Sequence, residues 1–248
     1  MAVSGTPLAI VGARGRMGRA LCALAAENGF ALVAAIDQGD DLEGGLAACE
    51  VAIDFSAREV APRVAGLMAQ AGKPLVVGTT GLDEQGRAAI GAAAKRIPVV
   101  FAPNFSVGVN TLFWLVRKAA SVLGEGFDIE IVEMHHNQKK DAPSGTAARL
   151  AEILCEARGL DPARDVRHGR EGLVGARTRG EIGMHAVRGG DVVGDHTVHF
   201  ASAGERLEVT HRASTRETFA HGALRAARWA IGQRPGLYSM EDVLGLRG

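Results

Sequence analysis

The sequence has few of the features that mark a disulfide-stabilised, nucleic-acid-binding or membrane protein. It contains only three cysteines in 248 residues, Cys22, Cys49 and Cys155. An odd number of widely spaced cysteines does not form a disulfide framework, so these thiols are predicted to be reduced. Basic and acidic residues number 28 each, and the formal net charge is zero. No block of like charge occurs, so we expect neither a nucleic-acid partner nor an anionic membrane surface as a partner.

Long apolar runs are also missing. No uninterrupted stretch approaches the ~20 residues that cross a bilayer. The chain starts with a short apolar segment and a glycine-rich stretch, not with the basic region and long apolar region of a secretory signal peptide. We therefore expect a cytoplasmic protein whose ligand is a small molecule.

The first hundred residues alternate short apolar runs with helical patterns. The predicted strands are residues 7–11, 31–36, 51–55, 75–77 and 99–102, and the predicted helices between them lie near residues 17–25, 60–70 and 84–95. This alternation is typical of a parallel sheet with helices on both faces. The predicted fold class is α/β, with a Rossmann-like doubly wound parallel sheet.

The pattern changes after Asn104. The predicted elements there are a helix over residues 107–123, a strand over 127–134, a helix from 144, strands over 182–187, 197–201 and 207–211, and a helix over 218–231. Strands and helices no longer alternate regularly, so the second region is predicted to be an α+β substrate domain with a mixed open sheet.

A glycine-rich turn lies between the first strand and the first helix. Gly12, Gly15 and Gly18 have the spacing of a dinucleotide-binding loop, in which Arg14 replaces a common second glycine. Such a turn lets the backbone approach a pyrophosphate, and an acidic residue after the second strand binds the ribose hydroxyls. Asp37 is at that position, 19 residues after Gly18, so the pair of features predicts a dinucleotide site.

Fourteen residues, 133–146, combine acid–base groups, an ammonium group and a helix start. Apolar and charged residues alternate over residues 127–134, just before the histidines. This period of two predicts that His135 and His136 lie at the carboxyl end of a strand and point to opposite faces. Pro143 interrupts regular secondary structure. A helical pattern then begins at Ser144-Gly145-Thr146. Backbone N–H groups at a helix start attract carboxylates, and histidine exchanges protons near neutral pH. This combination is typical of an active site, although a solvated His-His pair in a polar loop fits the same pattern.

The same stretch resembles the signature of the dihydrodipicolinate reductase (4-hydroxy-tetrahydrodipicolinate reductase) family, E-x-H-H-x-x-K-x-D-x-P-S-G-T. The chain matches every fixed position of this signature. The resemblance covers nearly the whole chain, with further matching blocks at residues 12–18, 53–56, 78–81, 102–110 and 193–197.

The resemblance implies a reaction and the roles of several residues. The family uses NAD(P)H to reduce the cyclic dicarboxylate 4-hydroxy-tetrahydrodipicolinate to tetrahydrodipicolinate, with loss of water, in lysine and diaminopimelate biosynthesis. By resemblance, His135 is the general acid or base, and Lys139 is a proton donor or an electrostatic partner. The residues implied to bind the substrate are His136, Ser144, Gly145 and Thr146.

The resemblance also divides the chain into domains. It implies a dinucleotide-binding domain at residues 1–106, completed by residues 216–248, and a substrate-binding and oligomerisation domain at residues 107–215. The sheets of the substrate domains would join four chains into a homotetramer.

The resemblance implies that the cofactor contacts Gly12, Ala13, Arg14, Gly15, Arg16, Met17, Asp37, Gly78, Thr79, Thr80, Ala102, Pro103, Asn104 and Phe105. Family members that prefer NADPH often carry a basic residue directly after the acidic one, but this chain has Gln38 there. Residues 37–41 also carry three carboxylates, which disfavour a 2′-phosphate unless Arg14 or Arg16 compensates. We therefore expect NADH to be preferred, with NADPH as an alternative.

Several residues fit more than one role. Lys140 neighbours Lys139, and only the register of the signature selects Lys139. Arg216 either reaches the cofactor or substrate or simply begins a helix. A metal site needs histidines that converge, usually with acidic or thiolate partners, so the histidines on strand-like segments outside the signature are predicted to be structural and no metal is expected. These four are His185, His196, His199 and His211.

Three other functions fit the sequence less well. A semialdehyde dehydrogenase that forms an acyl-enzyme needs a reactive cysteine, and no cysteine here has a site-like setting. A dinucleotide-sensing module needs a partner-binding or DNA-binding element, and no basic recognition segment is present. A metal-dependent hydrolase built on the histidine pair would lose its activity when the metal is removed.

Overall fold

The computed structural model of the protein describes residues 5–246. The described residues divide into two compact units, of which the first comprises residues 5–107 and 216–246 and the second residues 108–215. Within the described residues, every helix is too short or too polar to cross a bilayer.

The described elements are numbered along the chain. The strands are β1 (Thr6–Val11), β2 (Phe30–Ile36), β3 (Val51–Asp54), β4 (Leu75–Val77), β5 (Pro98–Phe101), β6 (Asp128–His135), β7 (Val166–His168), β8 (Ile182–Arg188), β9 (Gly194–Ser202), β10 (Glu205–Ala213) and β11 (Gly236–Tyr238). The helices are α1 (Arg16–Leu24), α2 (Leu42–Ala48), α3 (Ala61–Ala71), α4 (Glu84–Ala94), α5 (Val107–Leu123), α6 (Gly145–Arg158), α7 (Pro162–Asp165), α8 (Glu217–Ala230) and α9 (Met240–Leu244).

The first unit is built on a six-stranded parallel sheet in the order β11-β5-β4-β3-β1-β2. Helices cover both faces, so its strands are apolar on both sides. On β1, Leu8 and Ile10 pack in a core with α1, α8 and α9, whereas Ala9 and Val11 pack with α2, α3 and α4. The loops that follow β1, β2, β4 and β5 therefore lie at the same edge of the sheet, where ligands of such folds bind.

The second unit contains a mixed five-stranded sheet in the order β10-β9-β6-β8-β7. Strand β6 runs parallel to β8 and antiparallel to β9. One face of the sheet packs against α5 and α6, and Ile129 and Ile131 of β6 lie in this core. Glu130 and Val132 point to the other face, as the two-residue period of a strand requires.

The predicted fold class is confirmed, and the differences lie in short elements. The loop predicted at residues 12–18 ends at Gly15, because α1 begins at Arg16. Helix α2 was not predicted, since two of its seven residues are glycines, but the side chain of Asp41 caps its N-terminus. Strand β11 has only three residues, too few to show a period in the sequence.

Candidate active site and cofactor site

Strand β6 presents its core-facing side chains in alternation. Ile129 and Ile131 come first, and Glu133 and His135 follow on the same face toward the carboxyl end. Glu133 is fully buried and His135 is 9% exposed. His136 follows the strand directly and is half-buried. The strand thus carries a carboxylate and an imidazole inward at the end of an otherwise apolar face.

The buried carboxylate of Glu133 accepts hydrogen bonds from three groups. His135 Nδ1 lies 2.6 Å from Oε2, and the guanidinium of Arg188 spans both oxygens at 2.9 Å. The backbone N–H of Ser144 donates to Oε1 at 3.1 Å. Burial raises the pKa of Glu133, but these hydrogen bonds outweigh burial and hold the pKa below its ordinary value. Because an ionised carboxylate only accepts, the proton of the Glu133–His135 bond lies on Nδ1.

His196 of β9 lies beside His135. The two rings meet edge to face with centroids 5.2 Å apart, and His196 Nε2 lies 3.0 Å from the Oγ of Ser144. Burial, and then the charge of His135, lower the pKa of His196 to about 4. His196 is therefore neutral at pH 7, and its uncharged ring packs against that of His135.

Lys139 lies in the loop between β6 and α6. Its Nζ is 2.9 Å from both carboxylate oxygens of Asp141. The backbone holds this loop in place, because the N–H of Lys139 donates to the carbonyl of His136 and the N–H of His136 donates to Val192. The side chain of Lys139 is only 18% exposed, whereas the neighbouring Lys140 is exposed. Of the two lysines, Lys139 is the one that the fold shelters.

Helix α6 begins directly after this loop. Ser144 is buried and serves as its N-cap, with Oγ accepting the N–H of Ala147 at 3.2 Å. Gly145 is exposed and Thr146 is half-buried. A Cβ atom at Gly145 would meet nothing within 4 Å. A ligand therefore has room at Gly145, whereas the Ser144 hydroxyl is already held by the helix cap and by His196.

The glycine-rich turn of the first unit has the backbone of a dinucleotide-binding loop. Gly12 has a φ of +82°, and a Cβ there would collide with the backbone of Phe55, so only glycine fits. The N–H groups of Gly12 and Ala13 donate to the carbonyl of Ile36 at 2.8 and 3.0 Å. Gly15 is the N-cap of α1, and no side chain caps this helix end. The helix N-terminus is thus suited to a pyrophosphate.

The acidic residue after β2 is held by the same turn. The carboxylate of Asp37 accepts the N–H of Gln38 at 2.8 Å and that of Arg14 at 2.7 Å, and these bonds lower its pKa. The Arg14 guanidinium pairs with Asp40 at 3.1 Å. A groove of about 570 Å³ at this edge is lined from the carboxyl ends of β1, β2 and β3. Its volume is typical of a small-molecule site.

The other predicted cofactor residues fall into two groups. Those that are exposed or half-buried are Arg16, Met17, Thr80, Pro103 and Asn104. Those that are buried are Ala13, Gly78, Thr79, Ala102 and Phe105. The Thr79 hydroxyl donates to the buried carboxylate of Asp54 at 2.7 Å, and the Phe105 ring packs edge-on against Phe55. The buried residues therefore pack within the edge of the sheet, and the exposed or half-buried residues are accessible to a ligand there.

Glu133, Arg188 and Asp141 have no predicted site role, and His196 is predicted to be a structural residue. Glu133 and Asp141 are fixed positions of the matched signature, so a signal for them was present. His196 lies in the matching block at residues 193–197, but Arg188 falls in none of these blocks. Within residues 5–246, no group of three or more His, Cys, Asp or Glu side chains is arranged to hold a metal ion.

Comparisons with known proteins agree over nearly the whole described chain. The family model for the dihydrodipicolinate reductase N-terminus matches residues 6–105, and that for the C-terminus matches residues 108–244. The 4-hydroxy-tetrahydrodipicolinate reductase of Akkermansia muciniphila is 57% identical over 96% of this chain and 97% of that protein. The enzyme of the same name from Thiobacillus denitrificans is 50% identical over 97% of this chain and 98% of that protein.

One solved structure is similar in both fold and sequence. It is a dipicolinate-bound dihydrodipicolinate reductase from Paenisporosarcina sp. TG-14, with a TM-score of 0.78 and 26% identity. The match covers 95% of this chain and 97% of that one.

Proposed function

Because the chain belongs to the dihydrodipicolinate reductase family, we propose that it reduces 4-hydroxy-tetrahydrodipicolinate with NAD(P)H in diaminopimelate and lysine biosynthesis. The reaction takes one hydride from the nicotinamide and one proton, and it releases water and tetrahydrodipicolinate. The observation that carries the proposal is the placement of the buried His135, the sheltered Lys139 and the capped start of α6 within one strand–loop–helix segment.

In this proposal the second unit binds the dicarboxylate and handles the proton. His135 exchanges a proton through Nε2, because Nδ1 is engaged by Glu133. Lys139 already donates hydrogen bonds to the carboxylate of Asp141, and the substrate carries carboxylates that it could bind in the same way. Gly145, Thr146 and His136 bind the substrate at the exposed side of the helix start. Ser144 holds the helix start in place through its cap and its contact with His196.

The first unit supplies the nucleotide site. Its cofactor contributes the hydride when bound, and the protein contributes the turn at Gly12, the start of α1 and the Asp37 carboxylate. We propose that NADH is preferred over NADPH. Asp37 suits a free ribose diol, Gln38 supplies no positive charge, and Arg14 is already paired with Asp40.

We also propose that four chains assemble through the face of the second sheet that α5 and α6 do not cover. Val132 and Val187 point to this face, and Val187 is 42% exposed. The assembly should have four times the chain mass of 25.8 kDa in light scattering. A cytoplasmic location belongs to the same proposal, since a lysine-pathway enzyme uses the cellular pool of NADH.

The experiment that tests the function is direct. The protein is mixed with NADH and enzymatically generated 4-hydroxy-tetrahydrodipicolinate, and the loss of nicotinamide absorbance is followed. We expect oxidation that requires both the protein and the substrate. Chelation should leave the rate unchanged, and a rate lost on chelation would favour a metal-dependent enzyme instead.

A further inference from the structure

A charged pair lies inside the second unit at positions where the strand pattern predicts apolar residues. Glu133 occupies the core-facing position that follows Ile129 and Ile131, and it is fully buried. Arg188 of β8 stands opposite His135 in the strand register and spans both oxygens of Glu133. The Glu133 side chain is fully buried, and that of Arg188 is 22% exposed. Removing a carboxylate from water costs free energy that an ion pair often does not recover, so an apolar pair of similar volume is often at least as stabilising. Stability alone therefore does not explain the pair.

We propose that Glu133 and Arg188 are positioning residues for the proton transfer by His135, an inference that rests on the proposed function. Glu133 accepts the Nδ1–H of His135 and fixes the ring in one tautomer. Arg188 and the backbone N–H of Ser144 hold Glu133 in turn. The remaining nitrogen, Nε2, is then the atom that exchanges a proton with the substrate.

The surroundings of Nε2 agree with this assignment. A Cβ atom built on Gly194 would lie 3.0 Å from His135 Nε2 and 3.4 Å from Cε1 of His196. The 3.0 Å distance is tighter than an ordinary van der Waals contact, so a side chain at position 194 would crowd Nε2, and glycine leaves that side of the ring more room. The Nδ1 side, by contrast, is occupied by the Glu133 carboxylate.

Arg188 also reaches the loop that carries Lys139. Its Nη2 donates to the backbone carbonyl of Asp141 at 2.8 Å, and the Asp141 carboxylate holds Lys139 Nζ at 2.9 Å. One guanidinium thus fixes the carboxylate behind His135 and the backbone beside Lys139. The Arg188 side chain therefore helps to position both His135 and Lys139, the two predicted proton-handling residues.

The tautomer of His135 is measurable without substrate. Solid-state ¹⁵N spectra of histidine-labelled protein distinguish a protonated from an unprotonated ring nitrogen, and the signals lost in His135→Gln assign the residue. We expect the Nδ1–H form in the wild type, because an ionised Glu133 only accepts. In Glu133→Gln the side chain also donates, so the exclusive Nδ1–H form should be lost.

Glu130→Gln is the matched control for this measurement. Glu130 lies on the same strand but points to the opposite face, where its carboxylate bonds to Arg170, Arg177 and His185. Its replacement removes a comparable carboxylate network. The His135 signals should remain those of the wild type.

A double-mutant cycle tests the link to turnover. Glu133→Gln should lower kcat roughly 10²-fold in the wild-type background, which is the lower end of the effect of positioned acid–base groups. In a His135→Gln background the same change should cost less than about twofold, since a positioning residue acts only through the residue it positions. Arg188→Met is the second variant, should Glu133→Gln not fold, and Arg188→Lys should recover part of the loss.

Two results would overturn the inference. One is a Nδ1–H signal that persists unchanged in Glu133→Gln, and the other is an equal loss of kcat in both backgrounds. Failure of the proposed function is a separate result, because it would appear as a wild-type protein that oxidises no NADH with the dicarboxylate. The ¹⁵N spectra would still report the tautomer of His135 in that case.

Discussion

Replacing Lys139 by alanine should separate catalysis from stability. Lys139 pairs with Asp141, whose side chain is 65% exposed, and an ion pair with a solvent-exposed partner contributes about 1 kcal/mol or less. The loss of this ion pair should therefore lower the free energy of unfolding by no more than that. A positioned proton donor or charge contributes roughly 10²–10⁴-fold to turnover, or about 2.7–5.5 kcal/mol in the barrier. The expected loss of activity thus far exceeds the expected loss of stability.

The assay compares kcat and the urea midpoint of three variants. Lys140→Ala is the matched control, because Lys140 is adjacent but exposed, and its kcat should stay within a few-fold of the wild type. Lys139→Arg keeps the positive charge but does not release a proton. A loss as large as that of Lys139→Ala would therefore assign proton donation to Lys139, and retained activity would assign an electrostatic role. Near-normal turnover in Lys139→Ala would refute the reasoning.

Three further predictions concern the cofactor, the substrate and acid stability. Gln38→Arg should shift the ratio of kcat/KM for NADH and NADPH toward NADPH; a wild-type preference for NADPH would show that Arg14 or Arg16 contacts the phosphate. Pyridine-2,6-dicarboxylate should compete with substrate, and calorimetric titration should find it bound about ten- to a hundredfold more weakly by Thr146→Val. Binding should be weaker still in Gly145→Val, where a Cβ atom meets no protein atom within 4 Å and would occupy the space proposed for the ligand. Unchanged affinity would mean that the helix start is only a cap. Burial raises the pKa of Glu130, but bonds from Arg170, Arg177 and His185 bring it to about 2 from an ordinary 4.5; its contribution to stability is thus present above pH 4.5 and lost toward pH 2, and acid unfolding of Glu130→Gln should be less steep there.

The sequence was informative wherever a property is local along the chain. The alternation of apolar strands and helices predicts the parallel sheet, because the central strands are buried on both faces and each helix has an apolar face of its own. The end of β6 was predicted to within one residue, since the period-two pattern runs up to His135. The cap at Ser144 follows from the short polar residue before a helical run.

Properties that depend on distant residues could not be predicted in the same way. Arg188 meets Glu133 across 55 residues of sequence, and His196 meets Ser144 across 52. These contacts depend on the register of β8 and β9 against β6, which local patterns do not specify. The pairing of Arg14 with Asp40 also needed coordinates, although both residues were already suspected to influence the cofactor.

The central claim is that this protein transfers a hydride from NADH to 4-hydroxy-tetrahydrodipicolinate. The most direct test uses NADH that is deuterated at the transferable C4 position, with enzymatically generated substrate, and mass spectrometry of the product. We expect tetrahydrodipicolinate that carries one deuterium for each NADH consumed. Consumption of NADH without label in the product, or no product at all, would contradict the account.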